Sequence, residues 1–135
     1  MARTALTLPE LAEIAEVEYR TLHTWVKRGL VQPSVRRSGG TGTANLFDQA
    51  DAVAARVLAD LRRAGLSMEA IERAGAALRQ NHDCLDSPGV LLVNGKVEFF
   101  RDLESATGAL DRPGVSLVYR TQEAVERLRV EASKD

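Results

Sequence analysis

The stretch from Thr7 to Gly29, "TLPELAEIAEVEYRTLHTWVKRG", most constrains what this chain can fold into. It holds two amphipathic segments too short to be stable alone, with almost no residues between them. Thr7 with Glu10 is a capping-box pair, and Pro9 falls in the first turn, where a missing N–H costs nothing. Leu8, Leu11, Ala12 and Ala15 then form an i, i+3, i+4, i+7 stripe, which predicts a helix of two to three turns. A second helix is predicted over residues 18–28, with Gly29 as the residue that ends it. Leu22, Trp25 and Val26 share one face of that helix, and the spacing puts Trp25 in the core. Arg20, His23, Thr24 and Lys27 share the opposite face. The tight connection near Glu16 and Val17 makes this a helix-turn-helix pattern.

Charge distribution gives the polar face a meaning. The 135-residue chain has a formal net charge of −1, which by itself points to no partner. From Tyr19 to Phe47, however, there is no Asp or Glu, while Arg20, Lys27, Arg28, Arg36 and Arg37 all fall there. A cationic window in an otherwise acidic chain fits a surface that meets a polyanion. The window closes with "VQPSVRRSGGTGTANLF", where Pro33 and the glycines exclude a helix. Val31, Val35, Leu46 and Phe47 are expected to anchor two short strands, leaving "RRSGGTGTAN" as a hairpin tip: a wing. Its glycines let backbone N–H groups approach phosphates, and Ser38, Thr41 and Thr43 add hydroxyl donors.

Beyond the wing, Asp48 caps a helix that Gly65 stops, with Val53, Val57, Leu58 and Leu61 as its apolar face. Ser67 caps another, "MEAIERAGAALRQ", with Met68, Ile71 and Leu78 facing inward. Gly75 inside it costs roughly 1 kcal/mol relative to Ala, so close packing against a neighbour is expected there. Residues 1–80 thus read as one unit whose four helices and wing close an apolar set. Residues 81–89, "NHDCLDSPG", read as a linker, and 90–135 as a small appendage. In the appendage, Asn94-Gly95 predicts a two-residue hairpin within "VLLVNGKVEFF". "ESATGALDRPG" reads as irregular, "VSLVYR" as a third strand, and Thr121 as the cap of a last helix that uses Val125 and Leu128. Val97, Phe99, Val115, Leu117 and Tyr119 form one apolar sheet face, open either to a dimer contact or to packing on the first unit.

Several chemistries are excluded or disfavoured. The glycine loop lacks the lysine and following helix of a phosphate-cradling P-loop. Cys84 is the only cysteine, so there is no internal disulfide and no thiolate cage. His23 has only His82 as a histidine companion, far along the chain, so no metal site is expected. "HDCLD", His82 to Asp86, places a Cys, a His and acids within five residues, but no glycine elbow or partner base supports catalysis. No cofactor and no enzymatic activity are expected. No apolar run reaches about 18 residues, and the N-terminus lacks the apolar core of a signal peptide, so a cytoplasmic protein without a membrane partner is expected.

From Thr7 to about Gln80 the chain resembles the MerR-type winged helix-turn-helix family. The resemblance rests on "LPELAEIAEV", then Val17, Arg20, Thr21, Leu22 and Trp25 in a V-x-x-R-T-L-x-x-aromatic run. "GLVQP", the wing, an aromatic and "LRRAGLSMEAI" follow in the family's order. The chain departs from the family at Asn45-Leu46-Phe47, where members usually carry Arg-Leu-Tyr; Arg36 and Arg37 are candidate replacements for the missing cation. It also lacks the long dimerisation helix, and the cysteines or effector domain that follow it, of members that sense metals or drugs, and its tail is more similar to the β appendage of some MerR-like antitoxins and short regulators.

The resemblance implies a mainly α fold with small β elements, a winged helix-turn-helix followed by a small C-terminal α/β appendage. It implies a bacterial regulator that binds double-stranded DNA as a homodimer, with a repressor or autoregulatory role. Arg20, His23, Thr24 and Lys27 would face the major groove, flanked by Tyr19, Thr21 and Arg28. Arg36, Arg37, Ser38, Gly39, Thr41 and Thr43 would hold the backbone. Two other readings stay open: an antitoxin-like module whose tail binds a partner protein, and an excisionase-like factor that bends DNA.

Overall fold

The computed structural model describes residues 5–36, 45–85, 87–111 and 113–133, with side chains as far as residue 128. The first two helices are α1 (Leu8–Ala15) and α2 (Tyr19–Lys27). Thr7 and Glu10 form the expected capping box at the start of α1. The turn between the helices is made by Glu16, whose φ of 57° is left-handed, an uncommon state for a residue with a Cβ. Leu11, Ala12, Ala15, Leu22 and Trp25 are buried, so the two apolar stripes face a common core. Gly29 follows α2 at φ +81°, a conformation that a side chain would strain, and lets the chain turn sharply away from the helix.

The base of the expected wing is paired. Arg36 bridges Leu46, and Phe47 bridges Leu6, both antiparallel. Phe47 and Val31 are buried, whereas Val35 is exposed. The tip expected at Arg37, Ser38, Gly39, Thr41 and Thr43 lies outside the described residues.

Two longer helices follow, α3 (Gln49–Arg63) and α4 (Met68–Gln80), capped by Asp48 and Ser67 as expected. α3 is buried on far more than one face. Besides Val53, Val57, Leu58 and Leu61, its Ala50, Ala52, Ala54, Ala55 and Ala59 are also enclosed. Met68, expected inside, is instead exposed beside the α3–α4 turn. A Cβ at Gly75 would sit 3.2 Å from the carbonyl oxygen of Leu30, which accounts for a glycine in the middle of α4.

The segment expected to be a linker is pinned. His82–Cys84 forms a 3-10 turn, and Leu85 is 1% exposed in the core. Beyond it lie β1 (Val90–Val93), β2 (Val97–Phe100), α5 (Leu103–Leu110), β3 (Leu117–Arg120) and α6 (Gln122–Ser133). The sheet is antiparallel in the order β2-β1-β3, with Leu91 opposite Phe99 on one side and Tyr119 on the other. α5 occupies part of the segment expected to be irregular, because the Asp102 side chain accepts the Ser105 N–H and starts a helix that Ala106 and Ala109 seat against the sheet. Thr121 stands at the start of α6, but its hydroxyl is committed to Gly89, accepting that residue's N–H at 2.7 Å.

The apolar sheet face does not stand open. Leu91, Val125 and Leu128 belong to the same core as α1–α4, and Val97, Phe99, Leu117 and Tyr119 pack against it. Tyr119 donates its phenolic O–H to Asp60 of α3 at 2.5 Å. Val115, expected on that face, is 94% exposed and precedes the strand. The four helices and wing therefore do not close their core alone, because α3 needs α6 and the sheet to cover its remaining faces.

Candidate nucleic-acid interface

α2 owes its orientation to its apolar face. Leu22 is fully buried and Trp25 is 3% exposed, so the helix cannot roll without opening the core. Rolling is resisted further by the Leu30 N–H, which bonds the Trp25 carbonyl at 2.9 Å. The opposite face then points outward by necessity. Tyr19, Arg20, His23, Thr24, Lys27 and Arg28 are all exposed, and Thr21 is half-buried.

These side chains divide by what they touch. The rings of Tyr19 and His23 stack with centroids 6.2 Å apart, one helical turn along the outer face. Thr24 donates its hydroxyl to the Arg20 carbonyl at 3.1 Å. Thr21 accepts from Arg62 of α3 at 3.4 Å. Arg28 pairs with Glu72 of α4 at 2.6 Å, both side chains about half exposed. Arg28 is thus drawn toward α4, while Tyr19 and His23 stack on the outer face.

Two surface grooves flank the helix. One, of about 410 Å³, is lined by Arg20, Thr21, Thr24, Arg28, Arg62 and Met68 among others. The other, of about 350 Å³, runs between Lys27, Arg28 and Gly29 and the wing root at Gln32, Pro33 and Asn45. The end of α2 and the returning arm of the wing therefore share one surface. Arg36 is exposed at the wing root, where its backbone donates to and accepts from Leu46 at 3.2 and 2.7 Å. The wing-tip candidates Arg37, Ser38, Gly39, Thr41 and Thr43 lie outside the described residues.

Two features were missed in the sequence. Arg62 joins the surface beside α2, and its only sequence signal is the doubled arginine that ends α3. His82 meets Asp48 and Asp51, 34 and 31 residues earlier, so no local spacing pairs them. Asp51 is held above the ordinary carboxylate range, first by burial, against the Ser34 hydroxyl and the Asp48 and Ser34 N–H groups, which pull it down.

Comparison with known proteins decides the family. The model for MerR HTH family regulatory proteins matches residues 6–78, more than half of the chain. The chain belongs to the MerR family. It is 33% identical over 72 residues to uncharacterized HTH-type transcriptional regulators of Mycobacterium bovis and Mycobacterium tuberculosis. That stretch is 53% of this chain and 32% of each relative, so the chain spans about a third of the curated relatives it matches. A solved MerR-family transcriptional regulator from Bacillus cereus aligns over 59% of this chain and 63% of its own, with 24% identity and a TM-score of 0.44. The matched residues take in α1, α2, the wing, α3 and most of α4, the elements that carry the cationic surface. Among the described residues, no helix of this MerR-family chain is long and apolar enough to cross a membrane.

Proposed function

We propose that this chain is a sequence-specific double-stranded DNA-binding transcriptional regulator that acts as a dimer, in a repressing or autoregulatory role. One observation carries the reading: α2 is locked by Leu22 and Trp25 and presents an exposed outer face without a single acidic side chain. Arg20, His23, Thr24 and Lys27 read base edges in the major groove, where an arginine or lysine bridges guanine O6 and N7. Tyr19, Thr21 and Arg28 support them from the edges of the helix. Arg36, Arg37, Ser38, Gly39, Thr41 and Thr43 hold the adjacent backbone through charge, hydroxyls and glycine N–H groups. Arg62 joins them as a further cation. Residues 1–80 form the DNA-reading unit, and residues 90–135 brace it through α6 and the sheet. Cytoplasmic action without catalysis or a cofactor fits this reading.

A dimer supplies the surface that one short helix lacks, by holding two half-sites in register. The exposed apolar residues of the appendage, Leu103, Val115 and Val118, are where a second copy would dock. The same three residues favour the second reading, an antitoxin-like tail that binds a different protein.

Selection of bound duplexes from a random pool tests the proposal, and an inverted repeat is the expected product. Two copies of the cationic face neutralise roughly 6–10 phosphates, so affinity should fall about 10³–10⁵-fold between 50 and 200 mM salt. A flat salt profile would remove the proposal. Strong bending of DNA carrying direct repeats would move the reading to an excisionase-like factor.

A further inference from the structure

Four side chains from three separate parts of the chain meet at the start of α3. Asp48 and Asp51 are each 4% exposed. Nε2 of His82 lies 3.2 Å from Oδ1 of Asp48 and 3.4 Å from Oδ1 of Asp51. The Ser34 hydroxyl lies 2.9 Å from the same nitrogen and 2.6 Å from Oδ1 of Asp51. We propose that Asp48, Asp51 and His82 form a divalent-cation site suited to Zn²⁺, with Ser34 or water as the remaining donor.

Helix capping explains only part of this cluster. The Asp48 N–H reaches Oδ2 of Asp51, and the Asp51 N–H reaches Oδ1 of Asp48. A capping box has no use for an imidazole from the 3-10 turn after α4, or for a hydroxyl from the wing root. Both of these non-acidic donors nevertheless come to the point where the carboxylates meet. One donor atom from each of Asp48, Asp51 and His82 lies within 4.8 Å of the others. A tetrahedral Zn²⁺ with bonds of about 2.0–2.1 Å sets its donors about 3.3 Å apart. The two His82 separations already straddle that value.

The supporting groups are those a metal site needs. Oδ2 of Asp51 accepts the Ser34 N–H at 3.0 Å and the Asp48 N–H at 3.0 Å, which fixes the carboxylate before any ion arrives. Nε2 is the ring nitrogen that faces both carboxylates, so it is the one placed to coordinate an ion. A cavity of about 100 Å³ adjoins the cluster, lined by Gln32, Ser34, Asp51 and His82 among others, and gives an ion and its water a way in. One nitrogen and two carboxylate donors without a thiolate suit Zn²⁺ and its first-row neighbours. A bound ion ties the wing root to α3 and to the segment after α4, so its occupancy stiffens the base of the wing.

The test uses the full chain, stripped with chelator and without DNA, so its outcome is independent of the regulatory reading. Zn²⁺ alone is titrated calorimetrically, and Co²⁺ replaces it for visible spectroscopy. One ion per chain is expected, with the intense visible bands of four-coordinate Co²⁺ and no sulfur-to-metal charge transfer. His82→Ala and His82→Gln, each checked for fold by circular dichroism, should weaken binding by about 10–100-fold or more. Cys84→Ser should bind as the parent does. No stoichiometric binding by the parent chain overturns the proposal. So does binding that survives both His82 substitutions, or that is lost with Cys84→Ser.

Discussion

Arg127 of α6 reaches Glu16 of the α1–α2 turn at 3.1 Å, across 111 positions of sequence. Arg56 of α3 meets the other oxygen of Glu16 at 2.5 Å, and Arg63 donates to the Glu16 carbonyl at 2.6 Å. The one left-handed non-glycine residue among those described is thus held by three arginines from two helices. The appendage thus touches the turn between the two helices directly.

Acid should loosen that clamp. Arg56 first, and Arg127 after it, hold the Glu16 carboxyl below its ordinary value of 4.5. A carboxyl depressed in the folded state contributes stability that is complete above its unfolded value and is lost as pH falls through the folded one. Melting temperatures of the parent and Glu16→Gln, compared from about pH 6 down to pH 3, should therefore converge toward acid. A gap that stayed constant would show that charge on Glu16 plays no part.

Truncation after Gln80 should abolish cooperative folding. Leu85, Leu91, Val125 and Leu128 are each at most 1% exposed in the core that α3 shares. Within the full chain, Leu128→Ala alone should cost about 2–5 kcal/mol. Denaturant melts check both, and a truncated chain with a sharp two-state transition would contradict the shared core.

Two glycines should respond differently to alanine. Gly108 in α5 has nothing within 4 Å of a Cβ position, so Gly108→Ala should stabilise by about 0.5–1 kcal/mol. Gly75→Ala gains the same propensity but sets a methyl 3.2 Å from the Leu30 carbonyl. Overpacking there costs about 1–3 kcal/mol, which cancels or reverses the gain. Thermal melts of the two variants side by side give the sign.

Glu72→Gln should raise affinity for duplex DNA and steepen its salt dependence. The change frees Arg28 from its 2.6 Å partner and removes an acid beside the cationic surface. Stability should barely move, because half-exposed ion pairs contribute about 0–1 kcal/mol. Fluorescence anisotropy across a salt series measures both effects, and unchanged affinity would mean that Arg28 lies away from the DNA.

Arg20→Ala should cost about 1–3 kcal/mol and relax base preference at one position per half-site. Lys27→Ala on a phosphate would instead weaken all sequences alike. Repeating the duplex selection with each variant distinguishes the two roles.

Local chemistry determined much of this protein. The Thr7–Glu10 box, the Leu22–Trp25 stripe, Gly29 and the Asp48 and Ser67 caps act within a turn or two of themselves. Their helices and the outward cationic face were therefore legible in order and nearly in extent. The hairpin around Asn94-Gly95 was legible for the same reason, but its loop has three residues and not the expected two, because Val93 pairs with Val97 and Lys96 joins the turn. What the sequence did not yield depends on partners far away along the chain. α5 hides in a segment rich in small residues, whose helix is held by the Asp102 cap and by the sheet it covers. The buried all-round surface of α3 looks one-sided because alanines carry no apolar stripe, yet they let α6 and the 3-10 turn approach closely. The destination of Val97, Phe99, Leu117 and Tyr119 was ambiguous, since an apolar face fits a second copy as well as its own core. Only the tertiary structure decided it, through Asp60 meeting Tyr119 and through the core closing over Leu91. It alone brought His82 to Asp48 and Asp51, because long-range convergence of polar groups leaves no periodicity to read.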